Sequence, residues 1–91
     1  MASGSFVANG SASVDVSGYN QSKALNTVYL IGTWGGGTVV VECSPDGGTT
    51  WVAIPDKYYT SNAVVNLEGR WTNLRLTLSG ATSPTLGWWV L

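Results

Sequence analysis

Short stretches of alternating apolar and polar residues, separated by breaks rich in glycine and serine, run along most of this chain. The clearest stretch is residues 71–78, where Leu74, Leu76 and Leu78 alternate with polar neighbours. A period of two places alternate side chains on opposite faces of a β-strand. No segment combines a helical period with helix caps. The pattern predicts strands at 11–17, 27–33, 38–43, 51–54, 63–67, 71–78 and 85–91.

Strands at roughly ten-residue spacing are typical of an all-β fold. We therefore expect a small antiparallel β-sandwich or jelly roll of about seven strands. The strand at 27–33 is apolar on both faces, which predicts a central position. Residues 1–13 are small and polar apart from Phe6 and Val7. We expect them to form an N-terminal arm that orders only on docking, with the sandwich domain over residues 14–91.

Residues 44–51, Ser-Pro-Asp-Gly-Gly-Thr-Thr-Trp, predict the turn of a β-hairpin. An aspartate here can accept backbone hydrogen bonds, and the two glycines can take positive φ. The spacing of Ser44, Asp46, Gly48, Thr50 and Trp51 resembles the Asp-box, a hairpin motif best known from sialidases. In proteins that carry it, the box usually stabilises a turn away from the catalytic centre. The resemblance therefore implies a structural turn and no activity.

Charged residues make up 10% of the chain, whereas about 25% is usual in soluble domains. Five Trp, four Tyr and one Phe are hard to place in so small an interior. We expect other chains to cover part of the surface, since large aromatic residues are enriched in interfaces. The neighbours at 88 and 89 must face opposite sides of one strand. The candidate interface residues are Phe6, Val7, Trp34, Trp88 and Trp89.

The residues available for chemistry are few. The chain has no histidine, which rules out a Ser-His-Asp triad or a histidine metal site, and its five carboxylates are scattered. The single cysteine, Cys43, excludes an internal disulfide and lies in a valine-rich strand, where we expect it to be buried. We expect no enzyme activity, cofactor or metal.

Net charge and hydropathy limit the partners. A net charge of −1 without a basic cluster argues against nucleic acid as a partner. No apolar run has the length of a membrane helix or of the h-region of a signal peptide. We therefore expect no membrane partner and synthesis inside the cell.

Three motifs together resemble small virion proteins of tailed bacteriophages: Gly-Thr-Trp-Gly-Gly-Gly at 32–37, the turn at 44–51, and Leu-Ser-Gly-Ala-Thr at 78–82. That group includes trimeric β-sandwich cement, or decoration, proteins. The resemblance spans residues 28–91 and leaves residues 1–27 uncovered. It implies a structural protein of the capsid surface, made in the host cytoplasm. Its partners would be the major capsid protein and further copies of itself in a homotrimer.

Two other functions stay open. Exposed tryptophans can stack on sugars, so the chain could be a carbohydrate-binding or receptor-binding module of a tail fibre or a secreted enzyme. The candidates for such stacking are Trp34, Trp51, Trp71, Trp88 and Trp89, although we favour hairpin and core packing for Trp51 and Trp71. A tail or head-completion protein would share the physics of a decoration protein and differ in symmetry.

Overall fold

The computed structural model describes residues 2–18 and 24–91. These residues contain eight β-strands and no helix. The strands are β1 (Ala2–Phe6), β2 (Gly10–Asp15), β3 (Leu25–Thr33), β4 (Thr38–Ser44), β5 (Val52–Tyr59), β6 (Ala63–Glu68), β7 (Asn73–Ser79) and β8 (Thr85–Val90). The predicted all-β class is confirmed.

The strands form two four-stranded sheets in which every pairing is antiparallel. The first sheet has the order β1-β8-β3-β6 and the second has the order β2-β7-β4-β5. The pairs β4–β5, β3–β6, β2–β7 and β1–β8 are successive layers of one long antiparallel ribbon. A ribbon rolled up in this way is a jelly roll, the more specific of the two predicted architectures.

The core lies between the two sheets and is filled by their inward-facing side chains. Three leucines of β7 are almost completely buried: Leu74, Leu76 and Leu78. They face apolar residues of the first sheet, among them Val28 and Leu30 of β3, which are also fully buried. Packing of two sheets about 10 Å apart over such alternating positions is the usual core of a sandwich.

The N-terminal segment differs from the expected flexible arm. Residues 2–6 form edge strand β1, in continuous register with β8 from Ala2 opposite Val90 to Phe6 opposite Leu86. Phe6 is only 6% exposed and belongs to the core. The sequence gives no warning of this pairing, because the short side chains between residues 2 and 5 carry little β propensity and the partner strand is at the other end of the chain.

Strand β5 also differs from expectation, since it runs to Tyr59 instead of ending near residue 54. It passes through Pro55 and through Asp56, whose φ is 62°. Its pairing with β4 shifts register between Val40 and Glu42. β5 is an edge strand, where proline and a bulge are tolerated because one side of the backbone needs no partner. Proline at residue 55 was therefore a misleading end signal.

The burial of Phe6 makes a direct test of the N-terminal strand possible. Phe6→Ala should lower the free energy of unfolding by about 3–5 kcal/mol, because it removes a core side chain and leaves a cavity. The neighbouring Val7 is 74% exposed, so Val7→Ala should change it by less than about 0.5 kcal/mol. Urea denaturation of both variants measures the difference. Equal, small effects would place the segment outside the core.

Candidate functional site: a structural turn and an apolar sheet face

The turn between β4 and β5 is organised by two side chains. The Asp46 carboxylate accepts hydrogen bonds from the backbone N–H groups of Thr49 (3.2 Å) and Thr50 (2.8 Å) and from the Ser44 hydroxyl (2.8 Å). The Ser44 hydroxyl oxygen in turn accepts the backbone N–H of Gly48 at 2.9 Å. Gly48 has a φ of 97°, a conformation that favours glycine. The Asp-box residues thus hold the loop by satisfying its backbone donors.

The same contacts stabilise the ionised form of Asp46. The backbone and hydroxyl of Thr50 and the hydroxyl of Ser44 donate to the carboxylate, and they lower the pKa of Asp46 from 3.8 to about 2. The turn is also hydrogen-bonded to Thr72, the residue immediately before β7. The Thr72 hydroxyl donates to the Ser44 carbonyl at 3.1 Å and accepts the Gly47 N–H at 2.8 Å. The turn is therefore fastened to the start of β7.

The last residue of the box, Trp51, belongs to a polar cluster on the outer face of the second sheet. Its ring packs against the Arg75 guanidinium, whose central carbon lies 4.4 Å from the ring centroid. Arg75 makes two hydrogen bonds to Glu42, at 3.1 and 2.7 Å, and Thr77 donates a third at 2.6 Å. These contacts, above all those from Arg75, lower the pKa of Glu42. The two charges of the cluster are paired with each other, so it is a structural network.

Three of the five candidate interface residues are core residues. Phe6, Trp34 and Trp88 are each less than 10% exposed. The Trp34 indole N–H is satisfied by Asn62 at 2.9 Å. The Trp88 ring packs under Gly4, where an added Cβ would lie 2.7 Å from the ring. These three side chains are therefore buried within the chain itself.

The other two candidates, Val7 and Trp89, are exposed at 74% and 37%. Trp89 lies on the outer face of the first sheet together with four apolar residues that the sequence did not single out. We call this set the platform; it consists of Tyr29, Ile31, Val64, Trp89 and Leu91. For Tyr29 and Ile31, the one indication in the sequence was that segment 27–33 is apolar on both faces.

The strand register makes the platform continuous. Tyr29 lies directly opposite Trp89 on one side and Val64 on the other. Ile31 lies opposite Gly87, and the Trp89 ring covers that glycine, since a Cβ there would lie 3.0 Å from the ring. Tyr29, Ile31, Trp89 and Leu91 line a shallow depression of about 300 Å³. Directly opposite residues have Cβ atoms about 5 Å apart, so these side chains form one surface.

Charge separates the two outer faces. In the strands as described, Glu68 is the only charged residue of the first sheet. The strands of the second sheet carry Asp15, Glu42, Asp56, Lys57 and Arg75. The platform is therefore a neutral apolar surface with serine, threonine and asparagine around it. Contiguous apolar surface of this kind marks interaction sites.

No centre for metal or thiol chemistry is found in residues 2–18 and 24–91. No group of three or more histidine, cysteine or acidic side chains is placed to hold a metal ion. Cys43 is half-buried against the core, and burial raises the pKa of its thiol. A raised pKa keeps the thiol protonated and unreactive at neutral pH.

Comparison with known proteins adds no relative. No family model, curated protein or solved structure matches the chain. Within the described ranges, no helix has the length and apolar character needed to cross a membrane. The fold and the surface together define a small jelly-roll protein with a polar outer face and an apolar outer face.

The turn can be tested through its pH dependence. Asp46→Ala should lower the melting temperature at neutral pH, because the donors of Ser44, Thr49 and Thr50 lose their acceptor. The folded-state pKa is depressed to about 2, so this contribution is present above the ordinary value of 3.8 and is lost as pH falls through about 2. The difference from wild type should therefore narrow between about pH 5 and pH 2.

Asp46→Asn is the matched control, since the amide keeps an acceptor oxygen but no charge. We expect a melting temperature between those of wild type and Asp46→Ala. Its difference from Asp46→Ala should change little with pH, because neither variant has a titratable group at residue 46. Thermal unfolding followed by circular dichroism at several pH values measures all three proteins. A wild-type melting temperature in Asp46→Ala at neutral pH would show that the box does not hold the hairpin.

Proposed function

We propose that this chain is a virion structural protein, a capsid decoration protein that binds and stabilises the lattice of a major capsid protein as a homotrimer. The observation that carries the proposal is the neutral platform on the first sheet. The resemblance of residues 28–91 to small virion proteins of tailed bacteriophages agrees with it. Jelly rolls occur in viral capsid domains and in lectins, so the fold is compatible with the proposal without selecting it.

The contrast between the two outer faces supports a protein that attaches in one orientation. The second sheet presents the paired Glu42–Arg75 cluster, whose charges are already neutralised within the chain. The platform presents Ile31, Val64 and Trp89 at exposures of 47%, 61% and 37%. Burying apolar side chains contributes about 25 cal/mol per Å² removed from water. The first sheet therefore carries a cluster of exposed apolar side chains, whereas the exposed apolar residues of the second sheet are Val52 and Tyr58 on edge strand β5.

The three-fold symmetry is taken from the resemblance to trimeric decoration proteins, and the platform supports self-association of the chain. A newly made chain meets its own copies first, and a neutral platform has no like charges that would keep copies apart. Three linked copies then bind a repeating lattice with far greater avidity than one copy. Binding only to the assembled state stabilises that state by mass action, which is how a small protein can strengthen a capsid.

A carbohydrate-binding module is the second candidate function, and one observation favours it. Tyr29 and Trp89 lie side by side on neighbouring strands and present aromatic rings at the surface. Aromatic rings can stack on the apolar face of a sugar. The depression that they line, however, also contains Ile31 and Leu91 and offers few groups for sugar hydroxyls. The apolar lining favours a protein partner.

We expect sedimentation equilibrium to show a trimer at micromolar concentration. Val64→Lys should shift the protein to monomer, because it places a charge within the platform. Val52→Lys is the matched control: Val52 also lies on an edge strand, is similarly exposed (58% against 61%), and belongs to the other sheet. Its trimer should be unchanged. A wild-type monomer, or equal effects of the two lysines, contradicts the platform-mediated trimer.

Capsid binding is tested with capsids assembled from the major capsid protein of the virus that would carry this chain. Wild type and Val52→Lys should sediment with the capsids and raise the temperature at which they break open. Val64→Lys should lose both effects, since one copy binds without avidity. A stable trimer that does not bind capsids would contradict the decoration role. Quenching of tryptophan fluorescence by an oligosaccharide would instead favour the sugar-binding module.

A further inference from the structure

The four edge strands of the sandwich differ in their protection against pairing with another chain. β5 contains Pro55, the positive-φ Asp56 and a register shift, β6 ends in Glu68, and β2 ends in Asp15. Charges, proline and bulges are the devices by which proteins block exposed sheet edges. β1 has none of them. It is uncharged and keeps regular register over all five residues.

The hydrogen-bond pattern shows which backbone groups of β1 face outward. Thr27 and Leu91 exchange both backbone hydrogen bonds, at 3.0 and 2.8 Å. Because bonded pairs alternate along antiparallel strands, Tyr29 and Trp89 form the next bonded pair. Trp88 must then direct its backbone groups to the other side, toward Gly4 of β1. The N–H and C=O groups of Ser3 and Ser5 therefore point away from β8, to the free edge.

No turn or loop among the described residues caps these groups. The Ser3 and Ser5 side chains are also exposed, on the same outer face as Trp89. A strand edge with two donors and two acceptors in regular spacing is a template for strand addition.

We propose that β1 pairs antiparallel with β1 of a second copy about a two-fold axis, which extends the first sheet into a continuous eight-stranded sheet. The register that overlaps all five residues places Gly4 opposite Gly4 of the partner subunit. Ser3 then exchanges two hydrogen bonds with Ser5 of the partner subunit, and the symmetric pair adds two more. The glycines occupy the closely spaced, non-bonded position, where the absence of side chains removes steric conflict.

A second copy is the occupant that the edge itself favours. A two-fold axis pairs an edge with its own copy, so the edge must be complementary to itself. β1 meets this condition because it is uncharged and pairs with itself about Gly4, whereas β2 and β6 carry Asp15 and Glu68. Pairing of β1 also places the two platforms on one face of the extended sheet. Trp89 lies on β8, the strand next to β1, so the two platforms would be separated by the paired β1 strands with their outward-facing Ser3 and Ser5.

This two-fold contact is separate from the proposed three-fold contact and does not depend on it. Five residues of strand bury less than the roughly 1,000 Å² of a stable interface, so the pairing is weak in solution. It adds even-numbered species at high concentration: dimers of single chains, or hexamers where the trimer is also present. Held side by side on a lattice, neighbouring copies would pair more strongly, because their effective concentration is high.

Proline substitution tests the strand pairing. Ser5→Pro removes an outward N–H and leaves the β8 ladder intact, since proline is tolerated on an edge where the N–H faces solvent. Sedimentation equilibrium over a hundredfold range of concentration should show wild type and Ser5→Ala forming the even-numbered species. Ser5→Pro should not form these even-numbered species over the same range, because the association constant for strand pairing should be at least about tenfold lower. An unchanged melting temperature verifies the fold of each variant.

A charge exchange gives a second readout that does not alter the backbone. Ser3→Lys/Ser5→Lys and Ser3→Glu/Ser5→Glu should each fail to pair alone, and an equimolar mixture of the two should pair. Association of Ser5→Pro equal to that of Ser5→Ala, no even-numbered species in wild type at the highest concentration, or no pairing in the mixture would each overturn the proposal. Val64→Lys separates the two contacts, because it removes the three-fold species and leaves the two-fold pairing.

Discussion

The hydrogen bonds that converge on Asp46 stabilise the one local strand pairing of this fold. Among the eight strands of the described residues, β4 and β5 are the only consecutive pair that lies in the same sheet. Every other pair joins strands that are distant in the sequence, and β1–β8 joins the two ends of the described chain. Loop closure makes such distant pairings costly to form before others are in place. The ordered turn therefore fixes the register from which the ribbon can grow outward.

Hydrogen bonds from polar side chains connect strand pairs and turns that are distant in the sequence. Thr72 binds the β4–β5 turn to the start of β7. The fully buried Asn26 accepts the Trp71 indole N–H and donates to the Leu91 carbonyl, at 3.0 and 3.3 Å. Asn9 makes two hydrogen bonds to the backbone of Ala81, which join the turn after β1 to the turn before β8. In a protein with few charges, these amides and hydroxyls replace ion pairs as the contacts that specify one arrangement.

The unusual composition is partly explained by the interior and partly by one surface. Phe6, Trp34 and Trp88 fit between the sheets, so an excess of aromatic residues alone did not require an interface. Of the apolar residues that the core does not take, Tyr29, Ile31, Val64, Trp89 and Leu91 lie together on the first sheet, and Val52 and Tyr58 lie on edge strand β5 of the second. The second sheet carries most of the strand charges, and its Glu42–Arg75 pair is covered by Trp51. The low overall charge therefore reflects one neutral face and not a uniformly apolar molecule.

Features that depend on neighbouring residues could be predicted from the sequence. The turn at 44–51 follows from Asp46 and two glycines, and the inward face of β7 follows from the alternation of its leucines. Features that depend on distant partners became visible only in the folded chain. Residues 2–5 have no strong strand signal. They form β1 because β8 offers an edge for pairing and because the core accommodates the Phe6 side chain. Alternation tells which side chains point outward but not which strands lie side by side. Tyr29, Val64 and Trp89 therefore form one surface only through the pairing of β3 with β6 and β8.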